Sequence, residues 1–372
     1  MGVLKPLLPV GGEPAILRCV NTARTAGVNQ IIVVTGHNEA DIKNVLSGNM
    51  QEVILVHNNR YLDGMFSSAC AGVSALPSDL DAFFLLPADC CAVYPETLTI
   101  LMERFADSGG TYVTRPKYQG QRGHPPLIPA CYVSPLLSYN GENGLKGFLS
   151  PLPTLEVEMD KGDSLPDMDT PEDYAHLLSF LGFPCFPDKE QCAELFDKHE
   201  TPLDIIEHGE HVAAIALGMA RDMTARGASL DLALLESACL LHDICRMKSD
   251  HAQEGMKLLL HEGYPKTAML VETHMDLQER GGVEAELLFL ADKLCRRGKI
   301  VRLEDTLLEL ETRFADDPIA LSAAKRRIQT AKKIMDELKI RHYIKYENYS
   351  EPMKMAELVP QSVTKDGGAF AL

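Results

Sequence analysis

A histidine–aspartate pair interrupts an apolar run, Leu240-Leu241-His242-Asp243-Ile244, and this constrains the chain more than any other feature. Helical period places Leu235, Ala238, Cys239, His242 and Arg246 on one face, so polar groups break a stripe that should pack a core. Burying a carboxylate is costly unless it is paired or binds a metal. Two other segments repeat the anomaly. His208 heads a run whose apolar face is Val212, Ile215, Ala216 and Met219, and Asp292 is in step with Ala285, Leu288 and Phe289, with Cys295 following. A lone histidine on such a face usually reads as a satisfied core residue, and a lone aspartate as a cap or an ion pair. Four such groups in the order His, His-Asp, Asp favour a shared metal centre. Imidazole with carboxylate suits magnesium or a divalent transition metal such as manganese or iron.

The order, together with the phrases "HGEHVAAIA", "LLHDICR", "HAQEGMKLLLHEGYP" and "FLADKLCRRGK", resembles the HD superfamily of metal-dependent phosphohydrolases over about residues 200–300. The resemblance implies an all-α domain and His208, His242, Asp243 and Asp292 as ligands of one divalent metal, with Asp243 also catalytic. Some members hold a second metal, which here implies His251 and His274 as its ligands and Asp243 as the bridge. Either histidine also reads as a surface residue. Lys293, Arg296 and Arg246 lie one step or one turn from the ligands. Each is either a phosphate-holding cation or a solvated surface charge.

A chain of 372 residues exceeds one ordinary core, so two domains are expected. The formal charge of −17 argues against a nucleic-acid backbone or an anionic membrane as partner. Local cations or a metal still admit small anionic substrates. The 10 cysteines form no Cys-x-x-Cys pair. Cys70, Cys131 and Cys239 lie in apolar runs and read as small core residues. Reduced thiols in a cytoplasm are the simplest expectation. No signal peptide or long apolar span is seen.

Residues 1 to about 180 alternate strand-like and helix-like segments. Residues 30–34, 52–56 and 82–86 are apolar, strand-like runs, and residues 14–26 and 39–46 have helical period. Such alternation predicts a doubly wound, mostly parallel sheet with helices on both faces. Ligands of such sheets bind beyond the carboxyl ends of the strands. Asp89, just past one run, reads equally as a magnesium ligand beside a triphosphate or as a helix cap.

The phrases "KPLLPVGG", "NNRYLDGMFSSACAG", "GHPPLI" and "DMDTPEDY" together resemble the MobA-like nucleotidyltransferases, which attach CMP or GMP to molybdopterin. The similarity spans about residues 1–180 and is closer to the cytidylyltransferase branch. It implies Asp89 and Asp169 as magnesium ligands, with Asp89 and Lys5 in the catalytic set and Lys5 facing phosphate. It further implies Gly64, Met65, Ser67, Ser68 and His124 around the acceptor pterin. Ser67 and Ser68 alternatively read as helix N-caps, and His124 as a loop hydrogen-bonding residue. The family opens with a strand and a glycine-rich loop ending in Met-Gly, whereas this chain opens at Met1-Gly2. The expectation is that the natural protein starts upstream; without the loop's backbone N–H groups, nucleotidyl transfer should be impaired.

Residues 181–200 read as a join and lead-in helix, 201–340 as the HD domain and 341–372 as a loosely ordered tail. Helix breaks are expected at Gly227-Ala228, Gly263-Tyr264-Pro265 and Gly281-Gly282, and a basic amphipathic helix over residues 330–341. The functional expectation is CMP transfer from CTP (or GMP from GTP) to molybdopterin, fused to a phosphohydrolase. Two alternatives stay open: a hydrolase with a degenerate nucleotide-binding regulatory domain, and a non-catalytic protein delivering cofactor to a molybdoenzyme or its maturation factor.

Overall fold

β-Branched runs bounded by Gly, Asn and Pro become strands, and segments of helical period become helices. The structure, a computed structural model, describes residues 2–49, 53–277 and 282–340. Contact density divides the chain into two units: residues 1–185 with 257–266, and residues 186–256 with Thr267 onward.

Unit 1 is α/β. Its elements run β1 (Pro9–Val10), β2 (Glu13–Pro14), α1 (Ala15–Thr25), β3 (Ile31–Thr35), α2 (Glu39–Leu46), β4 (Val53–His57), α3 (Met65–Ser74), β5 (Ala82–Phe84) and α4 (Pro95–Asp107). There follow β6 (Val113–Tyr118), β7 (Gln121–Arg122), β8 (Leu127–Pro129), α5 (Val133–Leu137), α6 (Gly144–Leu149), β9 (Thr154–Glu158) and α7 (Pro171–Phe180). β3 and β4 pair in parallel, with Ile31 against Val53 and Thr35 against His57. β9 pairs in parallel with β6, while β8 bridges β5 and β6 antiparallel and β7 closes a hairpin on β6. Parallel pairing is carried by those two five-residue ladders, with an isolated parallel bridge between Gly36 and Asn38. Ile16, Val20, Val33, Ile42, Leu46 and Val53 form one core under α1 and α2, and Val73, Phe83, Val113, Ile128, Leu136 and Phe148 belong to another beside α3.

Helix starts follow their sequence signals. Thr170 caps α7 in a reciprocal box with Asp173, with Pro171 at the first helical position. That geometry sets Asp169 one residue before the cap.

Unit 2 is helical. Its elements are α8 (Lys189–Lys198), α9 (Leu203–Ala225), α10 (Leu232–Leu241), α11 (His251–His261, whose last turns cluster with unit 1), α12 (Pro265–Thr273), α13 (Gly282–Leu294), a hairpin of β10 (Cys295–Arg296) and β11 (Lys299–Ile300), α14 (Leu303–Arg313) and α15 (Pro318–Glu337). Three readings change. The His-Asp pair is not inside a helix: α10 ends at Leu241 and residues 242–247 form tight turns with Ile244 N–H bonded to Leu241 O and Arg246 N–H to Asp243 O. The last helix starts at Pro318, because the Asp317 carboxylate caps the N–H groups of Ile319 and Ala320. Cys131 is exposed rather than packed in a core, whereas Cys70 is half-buried against the core beside α3 and Cys239 is fully buried. All ten cysteines are free thiols. The tail from residue 341, and Gly281, lie outside the described residues. Among the described residues no helix is long and apolar enough to cross a membrane.

Candidate metal and phosphoryl-transfer sites

In unit 2 a glycine lets two helices meet. A Cβ on Gly209 would lie 2.5 Å from Leu240 O and 3.3 Å from Cys239 O, so only glycine allows α9 to approach the end of α10 this closely. The neighbouring His208 thereby comes to 5.2 Å from His242, ring centre to ring centre. α13 adds Asp292 to the pair. His208 Nε2 lies 3.2 Å from Asp292 Oδ1, and His242 Nε2 lies 3.8 Å from the same oxygen. These three form one cluster of potential ligands, and Asp243, His251 and His274 form a second. His251 begins α11 and His274 follows α12. Asp243 stands between the clusters. Its Oδ1 lies 3.3 Å from His251 Nε2 and 3.5 Å from His274 Nε2, while its Oδ2 lies 3.5 Å from His242 Nε2 and 3.9 Å from His208 Nε2.

The rings are oriented from behind. His242 Nδ1 donates to Cys239 O at 2.8 Å and His274 Nδ1 to Val271 O at 2.6 Å; a carbonyl only accepts, so each Nδ1 carries the proton. The Nε2 lone pairs then face the clusters, the arrangement that metal ligation requires. His251 and His274 bring their Nε2 atoms within 3.2 Å of one another.

Burial opposes ionisation of Asp292, but Lys293, His208 and His242 outweigh it and hold the carboxyl well below its usual range. Burial likewise opposes ionisation of Asp243, and His242, His274 and Arg246 overcome it. Burial works against a charged His208, yet Asp292 and then Cys295 push its pKa up to about 9. Burial keeps His251 and His274 below the ordinary histidine value. Asp243 Oδ1 and His242 Nε2 are sealed from solvent without a hydrogen bond among the described residues. Orphaned buried acceptors facing a cluster of four imidazoles and two carboxylates fit a divalent cation.

Two of the three cations expected near a phosphate bind ligand carboxylates. Arg246 Nη1 lies 2.7 Å from Asp243 Oδ2 and the side chain stays half-exposed. Lys293 Nζ lies 2.5 Å from Asp292 Oδ2 and 3.4 Å from His274 O, with its side chain only 12% exposed. Arg296 sits on the β10–β11 hairpin beside Cys295, whose Sγ is 3.8 Å from His208 Nδ1.

In unit 1, Lys5 Nζ donates to Asp169 Oδ1 at 2.6 Å and lies 3.9 Å from Asp89 Oδ2, so the cation holds the two acids together. Asp167 joins them. Burial, then Asp169, Asp173 and Asp89, push its pKa up. The Asp-x-Asp spacing was the signal for Asp167, to which the sequence reading gave no role. At the start of α3, Gly64 has φ of 94°, and Met65 is exposed. Asn58 Nδ2 donates to Ser67 Oγ and Ser68 Oγ at 2.8 and 3.0 Å, and neither serine caps the helix. His124 precedes a cis proline, with Nδ1 buried and without a partner among the described residues. The structure thus gathers Lys5, Asp89 and Asp169, and separately arrays residues 64–68 along the first turn of α3.

A MobA-like NTP transferase domain model matches residues 1–157, and an HD domain model matches residues 205–297. No protein of curated function matches. Among solved structures, Rv0371c from Mycobacterium tuberculosis H37Rv is 23% identical, covering 48% of this chain and 90% of that one, with a TM-score of 0.42. A nucleotidyl transferase from Methanothermobacter thermautotroptrophicus is 25% identical over 48% of this chain and 86% of that one, TM-score 0.42. Molybdopterin-guanine dinucleotide biosynthesis protein A from Archaeoglobus fulgidus is 16% identical over 49% of this chain and 92% of that one, TM-score 0.36. The two family models decide the matter: this chain joins a MobA-like NTP transferase domain to an HD domain.

Proposed function

We propose that the HD domain, within residues 201–340, is a divalent-metal phosphohydrolase. The observation that carries this reading is Asp243, which offers one oxygen to each of two ligand clusters. His208, His242 and Asp292 would hold one ion, and Asp243, His251 and His274 a second. A bound ion supplies Lewis acidity that activates water and screens phosphoryl charge. The chain's own contribution is orientation. The carbonyls of Cys239 and Val271 fix two imidazoles, and Lys293 fixes Asp292. Arg246 is half-exposed and keeps N–H donors beyond the one it gives Asp243, so it can take a phosphate oxygen. The test is release of p-nitrophenolate from p-nitrophenyl phosphate and from bis(p-nitrophenyl) phosphate by the manganese-loaded full chain. Activity that Asp243→Ala abolishes supports the reading; equal rates in both proteins contradict it.

A second activity is proposed for residues 1–180: transfer of CMP from CTP, with GTP as the competing donor, to molybdopterin in the cytoplasm. Its support is the joining of Lys5 to Asp89 and Asp169, a cation and two acids suited to a magnesium–triphosphate. The acceptor phosphate attacks the α-phosphorus and pyrophosphate leaves, so the protein's task is positioning and charge stabilisation. Residues 64–68 and His124 would border the pterin. CTP-dependent pyrophosphate release that requires molybdopterin and falls in Asp89→Asn is the expected result. Magnesium–CTP binding without turnover would instead assign this domain a regulatory role.

A further inference from the structure

Arg115 stands on β6 in register with Glu156 of β9. That carboxylate is already engaged, with Lys117 Nζ 2.7 Å from one oxygen and Arg122 Nε 2.6 Å from the other. Among the described residues Arg115 makes no ion pair, and its Nε is sealed from solvent without a hydrogen-bond partner. A guanidinium cannot shed its proton. A sealed donor left without an acceptor carries its full desolvation cost. Glu156 acts on Arg115 as a charge but accepts no hydrogen bond from it, so the strand holds a half-buried guanidinium whose donors none of the described side chains takes up.

Two more unpartnered atoms point the same way. His124 Nδ1 and Ser164 Oγ are buried without a hydrogen bond, and Ser164 is only 1% exposed. The backbone ties all three residues together. His124 N–H donates to Ser164 O at 2.9 Å, and Gly123 N–H donates to the carbonyl of Pro116, the residue after Arg115, at 2.9 Å. Ser164 Oγ would lie 2.3 Å from a Cβ on Gly123, so the glycine is what lets the serine reach this place. Burial first, and then the Arg115 charge, lower the His124 pKa, while Asp89 and Asp167 act in the opposite sense.

We propose that Arg115, with His124 and Ser164, is the subsite for the phosphate of the acceptor, separate from the triphosphate position at Lys5 and Asp89. This assignment rests on the transferase reading for its role in turnover. The ligand class is a phosphomonoester dianion, which a guanidinium takes through paired N–H donors. One of its oxygens forms the new bond to the α-phosphorus of the nucleotide. The bond from the α-phosphorus to the bridging oxygen breaks, and pyrophosphate departs with the electron pair. The dianion carries no proton, so no base is required.

The test compares the full chain with Arg115→Gln and Arg115→Lys in two titrations. The first uses inorganic phosphate on chelator-treated protein, which keeps ions from the HD clusters. The second uses magnesium–CTP. Arg115→Gln should weaken phosphate about tenfold or more, Arg115→Lys should recover part of it, and magnesium–CTP affinity should stay unchanged. Phosphate should raise the Tm of the natural chain but not of Arg115→Gln, and without phosphate the Gln variant should be at least as stable. Unchanged phosphate affinity in a folded Arg115→Gln overturns the subsite. A parallel loss of magnesium–CTP affinity also overturns it, by assigning Arg115 to the triphosphate. Failure of the natural chain to bind magnesium–CTP counts against the transferase reading instead, and leaves the anion site standing.

Discussion

Lys293 and Asp292 are adjacent in sequence, and the lysine Nζ lies 2.5 Å from Asp292 Oδ2, on the oxygen opposite the one that faces His208. The pair is nearly buried, with side-chain exposures of 12% and 13%. The cation therefore neutralises a carboxylate whose other oxygen is presented to the ligand cluster.

Replacing Lys293 with methionine leaves that carboxylate without its main counter-charge. Breaking one side of a buried pair costs about 3 kcal/mol. Urea unfolding of Lys293→Met without metal should show a loss of that order. Manganese should restore part of it, because an ion neutralises the same carboxylate. A loss untouched by manganese would mean that Asp292 does not bind the ion.

His208 has its pKa pushed up to about 9 by Asp292 and Cys295 against the effect of burial. Near neutral pH the metal-free ring is therefore protonated, whereas a ligand must be neutral. Manganese binding at about pH 7.5 should release about one proton from this ring, and the release should fade as the pH rises through about 9. Calorimetry in buffers of different ionisation enthalpy measures the number, and His208→Gln should lower it. Equal proton release by the two proteins would contradict the assignment.

Gly209 sets the spacing of α9 against the end of α10. A methyl group there meets Leu240 O at 2.5 Å, a backbone atom that cannot rotate away. Gly209→Ala should destabilise unit 2 by about 1–3 kcal/mol. It should also weaken manganese binding, because His208 moves with the helix. Unfolding curves and a metal titration on the same preparation separate the two effects.

The metal-type residues were legible because polar groups at core positions break a periodic pattern. His208, His242, Asp243 and Asp292 each violate an apolar stripe. The geometry that joins them was not, because Gly209 carries no side-chain signal and its role depends on a partner backbone. The β10–β11 hairpin escaped detection since two-residue strands are too short for an alternation to show. The end of α10 at Leu241 was hidden because Ile244 and Cys245 continue the apolar run beyond it. In unit 1 the β3 and β4 runs and the capping box of α7 were readable from local chemistry. Arg115 was not, because a charged residue on a strand ordinarily reads as its solvated face, and only the engagement of both Glu156 oxygens by two other cations leaves it without a hydrogen-bonded carboxylate.

A crystal of the full chain grown with manganese and measured at its absorption edge tests the metal centre most directly. Two anomalous peaks are expected about 3.5–4 Å apart, one among His208, His242 and Asp292 and one among Asp243, His251 and His274. Ordered HD-domain side chains with no peak at either cluster would contradict the account.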